Sequence, residues 1–170
     1  MLEIEIEMNN SISLIGMAGA GKTSIGKKLA EELKLNFVDS DSLIEIKYNS
    51  SLQDILIHKG IKEFKKIEEG ALLSVEFSQI VLATGGSAVF CSTAMDYIKE
   101  NSMVIYLEVP YKEISDRISN FSERGLLKRS DQTIQETYKE REGLYQHYAD
   151  YIVKNTTTID SCLNKILSLV

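Results

Sequence analysis

Proline is almost missing from this chain, with one in 170 residues, and cysteine occurs only twice. The ten glycines form no low-complexity tract and no internal repeat is present, which excludes a flexible linker and a solenoid. Cys91 and Cys162 lie far apart with no histidine at ligand spacing. They read as reduced thiols rather than a disulfide or a metal site. His58 and His147 are equally isolated. No apolar run approaches the length of a bilayer span, and the acidic opening MLEIEIEMNN lacks the basic region of a signal peptide, so a cytoplasmic location is expected. An excess of positive charge is lacking too. The net charge of -6 argues against broad binding to nucleic acid or to an acidic membrane.

What is present is 44% hydrophobic residues in a length that suits one core and is too short for two, so one domain over residues 1–170 is expected. Short β-branched runs alternate with stretches of helical period: ISLIG, NFVDSD, IVLATGG, MVIYLEV and DYIVKN are the strand candidates. Ile25, Leu29 and Leu33 recur every four residues. Ile61, Phe64, Ala71, Leu72 and Val75 form a second stripe, and Leu163, Ile166, Leu167 and Val170 a terminal one. This is the pattern of an α/β fold, a parallel sheet with helices on both faces.

Between the first strand and the first helix stands GMAGAGKTS, which matches G-x-x-x-x-G-K-[ST] at Gly16, Gly21, Lys22 and Thr23. The backbone N–H groups of such a loop surround an anion, and the helix that follows adds the positive end of its dipole. Lys22 reaches the outer phosphates of a nucleotide, and Thr23 offers a hydroxyl to Mg²⁺. Two readings stand for FVDSDSL, at the carboxyl end of the second strand. Asp39 and Asp41 either cap the next helix, or one holds metal-bound water while the other orients or deprotonates a substrate hydroxyl. In LATGGSA, Gly85 and Gly86 form either a plain turn or a place where backbone approaches a ligand. In TIQETYKEREGLYQHY the apolar stripe of Ile134, Tyr138, Tyr145 and Tyr148 also carries Arg141, an inward cation that calls for an anion, unless Gly143 breaks the helix. The polar stretch SNFSERGLLKRSDQ, with Arg124, Lys128 and Arg129, reads as a basic lid over about residues 119–132, or as a solvated loop.

These segments together resemble shikimate kinase, a small branch of the nucleoside-monophosphate-kinase-like P-loop fold. The similarity runs from about Ser11 onward, carried by DSD, EFKKIEE, GGS, RGLL and RxxLY in succession. The resemblance implies a three-layer P-loop NTPase fold, with a five-stranded parallel sheet in the order 2-3-1-4-5 and a mobile lid. It implies ATP over Gly19, Ala20, Gly21, Lys22, Thr23 and Ser24, with Arg117 against the adenine and Arg124 closing from the lid. Metal would sit at Thr23 and Asp39. Shikimate would be held by Asp41, Lys65, Gly85, Gly86, Ser87 and Arg141, within and beside a helical segment over about residues 41–70. Lys22, Asp41 and Arg124 would be the catalytic residues.

Three positions depart from the family pattern. Lys65 stands in FKKIE where the family usually shows arginine, Ser87 replaces the third glycine, and Gly125 follows the lid arginine where proline is common. The activity implied is Mg²⁺-dependent transfer from ATP to a hydroxyl of shikimate by a monomer whose partners are small molecules, with no nucleic acid and no membrane. The alternatives are a gluconate-type or nucleoside monophosphate kinase on the same scaffold, or a non-catalytic nucleotide-binding module. A GTP switch is disfavoured, because no N-K-x-D motif follows the fourth strand.

Overall fold

The structure, a computed structural model, describes residues 10–117 and 132–170. In chain order they form β1 (Ile12–Ile15), α1 (Lys22–Leu33), β2 (Asn36–Asp39), α2 (Ser40–Tyr48) and α3 (Leu52–Leu73). There follow β3 (Ile80–Ala83), a short 3₁₀ turn (Ala88–Phe90), α4 (Ser92–Asn101), β4 (Met103–Glu108) and α5 (Tyr111–Arg117). The chain closes with α6 (Ile134–Tyr148), β5 (Tyr151–Lys154) and α7 (Ile159–Leu167). The five strands pair in parallel in the order β2-β3-β1-β4-β5. Every residue of β1 and β3 is buried, as strands covered on both faces must be. Helices α1 and α7 pack together on one side, and α3, α4 and α6 gather on the other with the 3₁₀ turn. The expected fold class is therefore the one observed.

Two apolar positions do not follow the expected stripes. Ile61 is exposed because Gly60, at φ 77° and ψ 168°, takes the backbone out of helical conformation inside α3 and resets its phase. Val170 lies beyond the end of α7 and is exposed, while Leu163 and Ile166 are buried. The expected lid falls outside the described residues up to position 131, and Arg124, Lys128 and Arg129 with it. Both cysteines are free and buried. Burial pushes the Cys91 thiol up to about 12.

Strand ends and helix starts decide where chemistry can occur. Asp39 ends β2 and caps α2, its Oδ1 accepting from the backbone N–H groups of Asp41 and Ser42 at 3.0 and 3.3 Å. Asp41 is thus in the first turn of α2, two residues beyond the strand end where the sequence placed it. The cap ends β2 early. Thr133 and Glu136 form a reciprocal capping box that starts α6, and the helix continues through Gly143 without a break. The phase that points Arg141 inward is preserved.

Two glycines are expected to respond oppositely to alanine. Gly143 is in mid-helix, and a Cβ there meets nothing within 4 Å, so Gly143→Ala should stabilise by about 0.5–1 kcal/mol. Gly16 has φ +144°, and a Cβ there would lie 2.8 Å from the Leu107 carbonyl oxygen, so Gly16→Ala should destabilise by about 2 kcal/mol or more. Urea denaturation midpoints of the two variants against the parent measure both signs.

Candidate active site

One cleft of about 380 Å³ opens over the carboxyl ends of β1, β2 and β3, where ligands bind in open α/β sheets. Its one end is the loop from β1 to α1. Gly21 caps α1 in the left-handed region, with no side-chain cap, so the first N–H groups of α1 are left to a ligand. Lys22 is buried and folded onto the loop itself, its Nζ donating to the carbonyls of Gly16 and Met17 at 2.7 and 2.8 Å. Burial lowers the Lys22 ammonium to about 8, with Asp41 and then Asp39 opposing the shift. Thr23 Oγ1 donates to Asp39 Oδ2 at 2.8 Å, so one carboxylate both caps α2 and meets the start of α1.

The far end of the cleft is built from α2, the turn after β3, α3 and α6. Gly85 donates its N–H to the buried Ser40 hydroxyl at 2.9 Å. A Cβ at Gly85 would lie 2.5 Å from Asp41 Oδ1 and 2.8 Å from Glu68 Oε1, so only glycine lets both carboxylates close on this backbone. Burial, then the neighbouring Asp39, raises the Asp41 carboxyl to about 6, while Lys22 opposes. Arg141 is wholly buried, with its guanidinium 5.3 Å from the centre of the Phe90 ring. Tyr145 stacks on Tyr106 at 5.0 Å and donates its hydroxyl to the Gly86 carbonyl, fixing α6 against the turn.

Gly19, Gly21, Lys22, Thr23, Ser24, Asp39, Asp41, Gly85, Gly86, Ser87, Arg117 and Arg141 all line this cleft. Ala20 is buried beneath the loop, where its carbonyl accepts from Asn155 Nδ2 at 2.8 Å. Arg117 reaches the loop end, donating to Asn155 O at 2.7 Å and to Gly19 O at 3.4 Å. Lys65, expected to bind substrate, is exposed and is not among the residues that line the cleft; its ammonium lies 5.3 Å from the centre of the same Phe90 ring. Arg124 lies outside the described residues.

Ser40 and Glu68 were not foreseen. Ser40 gives no periodic signal, being the residue between two aspartates. Glu68 did give one: it lies four residues from Phe64 and four from Leu72, inside an apolar stripe as Arg141 is. It is buried, and Ser87 Oγ sits 2.8 Å from each of its carboxylate oxygens.

With this geometry in view, the residues at 18–170 match the family model for shikimate kinase. This chain belongs to the shikimate kinase family. It is 37% identical over 161 residues to the shikimate kinase of Francisella tularensis subsp. novicida, a match covering 92% of each chain. It is 36% identical over 164 residues to that of Clostridium botulinum, covering 96% of this chain and 98% of the relative. A solved shikimate kinase from Acinetobacter baumannii, in complex with shikimate, superposes with a TM-score of 0.86 at 32% identity, covering 94% of this chain and 92% of that one. Shikimate kinases use ATP as a substrate, so the chain is an ATP-dependent phosphotransferase rather than a silent binding module.

Burial raises Glu68 from 4.5 to about 7, with Ser87 opposing. The folded state therefore holds the proton more tightly than the unfolded one, and stability is lost as pH rises from about 4.5 through about 7. Glu68→Gln should remove that loss. Its advantage over the parent should grow across this interval to on the order of 2–3 kcal/mol, read from urea denaturation at a series of pH values.

Proposed function

We propose that this chain, a single domain over residues 1–170, transfers the γ-phosphoryl group of ATP to a ring hydroxyl of shikimate, giving shikimate 3-phosphate. The observation that carries the reading is that one cleft joins a phosphate loop at one end to Asp41, Gly85, Gly86 and Arg141 at the other. The loop N–H groups from Gly19 to Ser24 hold the nucleotide phosphates, and Lys22 leaves its own loop carbonyls to meet them. Arg117 flanks the nucleotide at the loop end. Arg141, buried in the wall of the cleft on α6, takes the carboxylate of shikimate, which a guanidinium meets with paired N–H donors.

The acceptor oxygen forms a bond to the γ-phosphorus as the bond from phosphorus to the bridging oxygen breaks, and ADP leaves with that electron pair. Asp41 is ionised above about pH 6, so at neutral pH it accepts the hydrogen of the attacking hydroxyl, orients the oxygen and can take the proton. Lys22 balances negative charge on the transferring group, a role that the family resemblance also gives Arg124, which lies outside the described residues. The donor set suits Mg²⁺, because Thr23 Oγ1 and Asp39 Oδ2 meet at 2.8 Å at the loop end of the cleft. Among the described residues there is no cluster of three or more acidic, histidine or cysteine side chains that could hold a metal. When bound there, Mg²⁺ would neutralise phosphate charge. No helix among the described residues is long and apolar enough to cross a membrane. In this reading the enzyme works in the cytoplasm as a monomer, since one chain supplies both ends of the cleft.

Two substitutions separate the ends. Asp41→Asn keeps the shape but not the charge, so turnover in a coupled ADP-release assay with shikimate should fall by about a hundredfold or more, with ATP affinity by calorimetry within about threefold of the parent. Lys22→Met should lower turnover similarly and also weaken ATP binding. An Asp41→Asn variant that loses ATP binding and retains turnover would reverse the assignment of the two ends.

A further inference from the structure

Two of the departures from the family pattern, Lys65 and Ser87, converge on one side chain. Ser87 caps the 3₁₀ turn after β3, and its hydroxyl lies 2.8 Å from both oxygens of Glu68, which comes from α3. A hydroxyl has one proton, so at equal distances it straddles the carboxylate, shared between the two oxygens. Ser87 and Glu68 are both buried. Lys65, one turn before Glu68 on α3, acts on the same carboxylate through space, with its ammonium 5.3 Å from the centre of the Phe90 ring. An arginine at position 65 would bring a planar fork of N–H donors to this neighbourhood, whereas a lysine brings a compact charge on a flexible stem. With lysine there, the turn supplies a directed donor in its place.

We propose that Ser87 compensates for Lys65: its hydroxyl clamps the Glu68 carboxylate at the acceptor end of the cleft, making Ser87 a positioning residue for the acceptor. Glu68 lies against Gly85 beside Asp41 and within electrostatic reach of Arg141, so its orientation and charge set the field that an acceptor meets there. The groups facing Glu68 are Asp41 from α2, Lys65 from its own helix, Cys91 beyond the 3₁₀ turn, and Arg141 and Tyr145 from α6. Of these, Asp41 disfavours the ionised form, Arg141 and Lys65 favour it, and the Ser87 hydrogen bond adds to the favourable side. Loss of the hydroxyl leaves the charge to two cations, one of them, Lys65, exposed.

The role assigned to the acceptor end rests on the function proposed above, but the clamp can be read without any substrate. The test compares the parent with Ser87→Gly, Lys65→Arg and the double variant. Ser87→Gly only removes a side chain from a turn of ordinary backbone conformation, and position 65 is exposed, so all four proteins should fold; their melting temperatures check this. The first readout is the titration of the Glu68 side-chain carboxyl by ¹³C NMR in the free proteins. Ser87→Gly should move its midpoint up by about one pH unit in the parent, and by less than half of that with arginine at 65. The second readout is kcat/KM for shikimate against pH, whose acid limb should move with the midpoint. An unmoved midpoint, an acid limb that ignores a moved midpoint, or an equal shift with arginine at 65 would each overturn the proposal. Parent protein that binds ATP but does not phosphorylate shikimate would instead count against the functional assignment, with the titration still deciding the clamp.

Discussion

Everything at this site depends on the turn by which β1 becomes α1. The backbone must leave a fully buried central strand, wrap an anion-sized space and start a helix with its first N–H groups pointing into that space. Gly16 and Gly21 make the passage possible, at φ 144° and 94°. The surroundings then hold it. Leu107 of β4 presses on Gly16, the buried Asn155 after β5 bonds the Ala20 carbonyl, and Arg117 at the end of α5 bonds Gly19 and Asn155. The strand order 2-3-1-4-5 puts β1 between β3 and β4, so elements on both sides of the loop can reach it. The fold positions the phosphate site by surrounding its backbone rather than by aiming side chains at it.

Across the cleft as a whole a different logic applies, in which charge rather than backbone is confined. Asp41, Glu68, Lys22 and Arg141 are brought together within one cleft, and all but Asp41 are under a tenth exposed. Isolated buried charges are costly, so such a group exists only as a mutually compensating set. The opposed shifts of Lys22, downward, and of Asp41 and Glu68, upward, are the signature of burial working against pairing. An anionic acceptor and a polyphosphate donor enter this set as further charges.

Much of this was legible because the informative residues violate local patterns. A lysine and a threonine after a run of glycines, and an arginine inside a tyrosine stripe, have few explanations other than a ligand. The five strands were legible because each is a short β-branched run between polar segments. Glu68 was hidden by its company: in EFKKIEE, acids and lysines at helical spacing describe a solvated face, and the four-residue interval from Phe64 to Leu72 is submerged. The exposure of Ile61 was hidden because Gly60 shifts the helical phase, which no periodicity count includes. Asp39 posed a choice between cap and ligand; the structure shows the cap at Oδ1 and, at Oδ2, a hydrogen bond from Thr23. Local pattern cannot express that, since the second partner arrives from α1.

The state of the two cysteines has a practical side. A thiol reacts with maleimides, iodoacetamides and peroxides as its thiolate, and Cys91 at about 12 has almost none at neutral pH, while the Cys162 thiol is also pushed upward by burial. Both are shielded from reagents as well. The native sequence thus provides a silent background for site-directed labelling: a cysteine introduced at an exposed position such as Ile46 on α2 would carry a fluorophore or spin label alone. The surroundings of α2 can then be followed with and without nucleotide in otherwise unaltered protein.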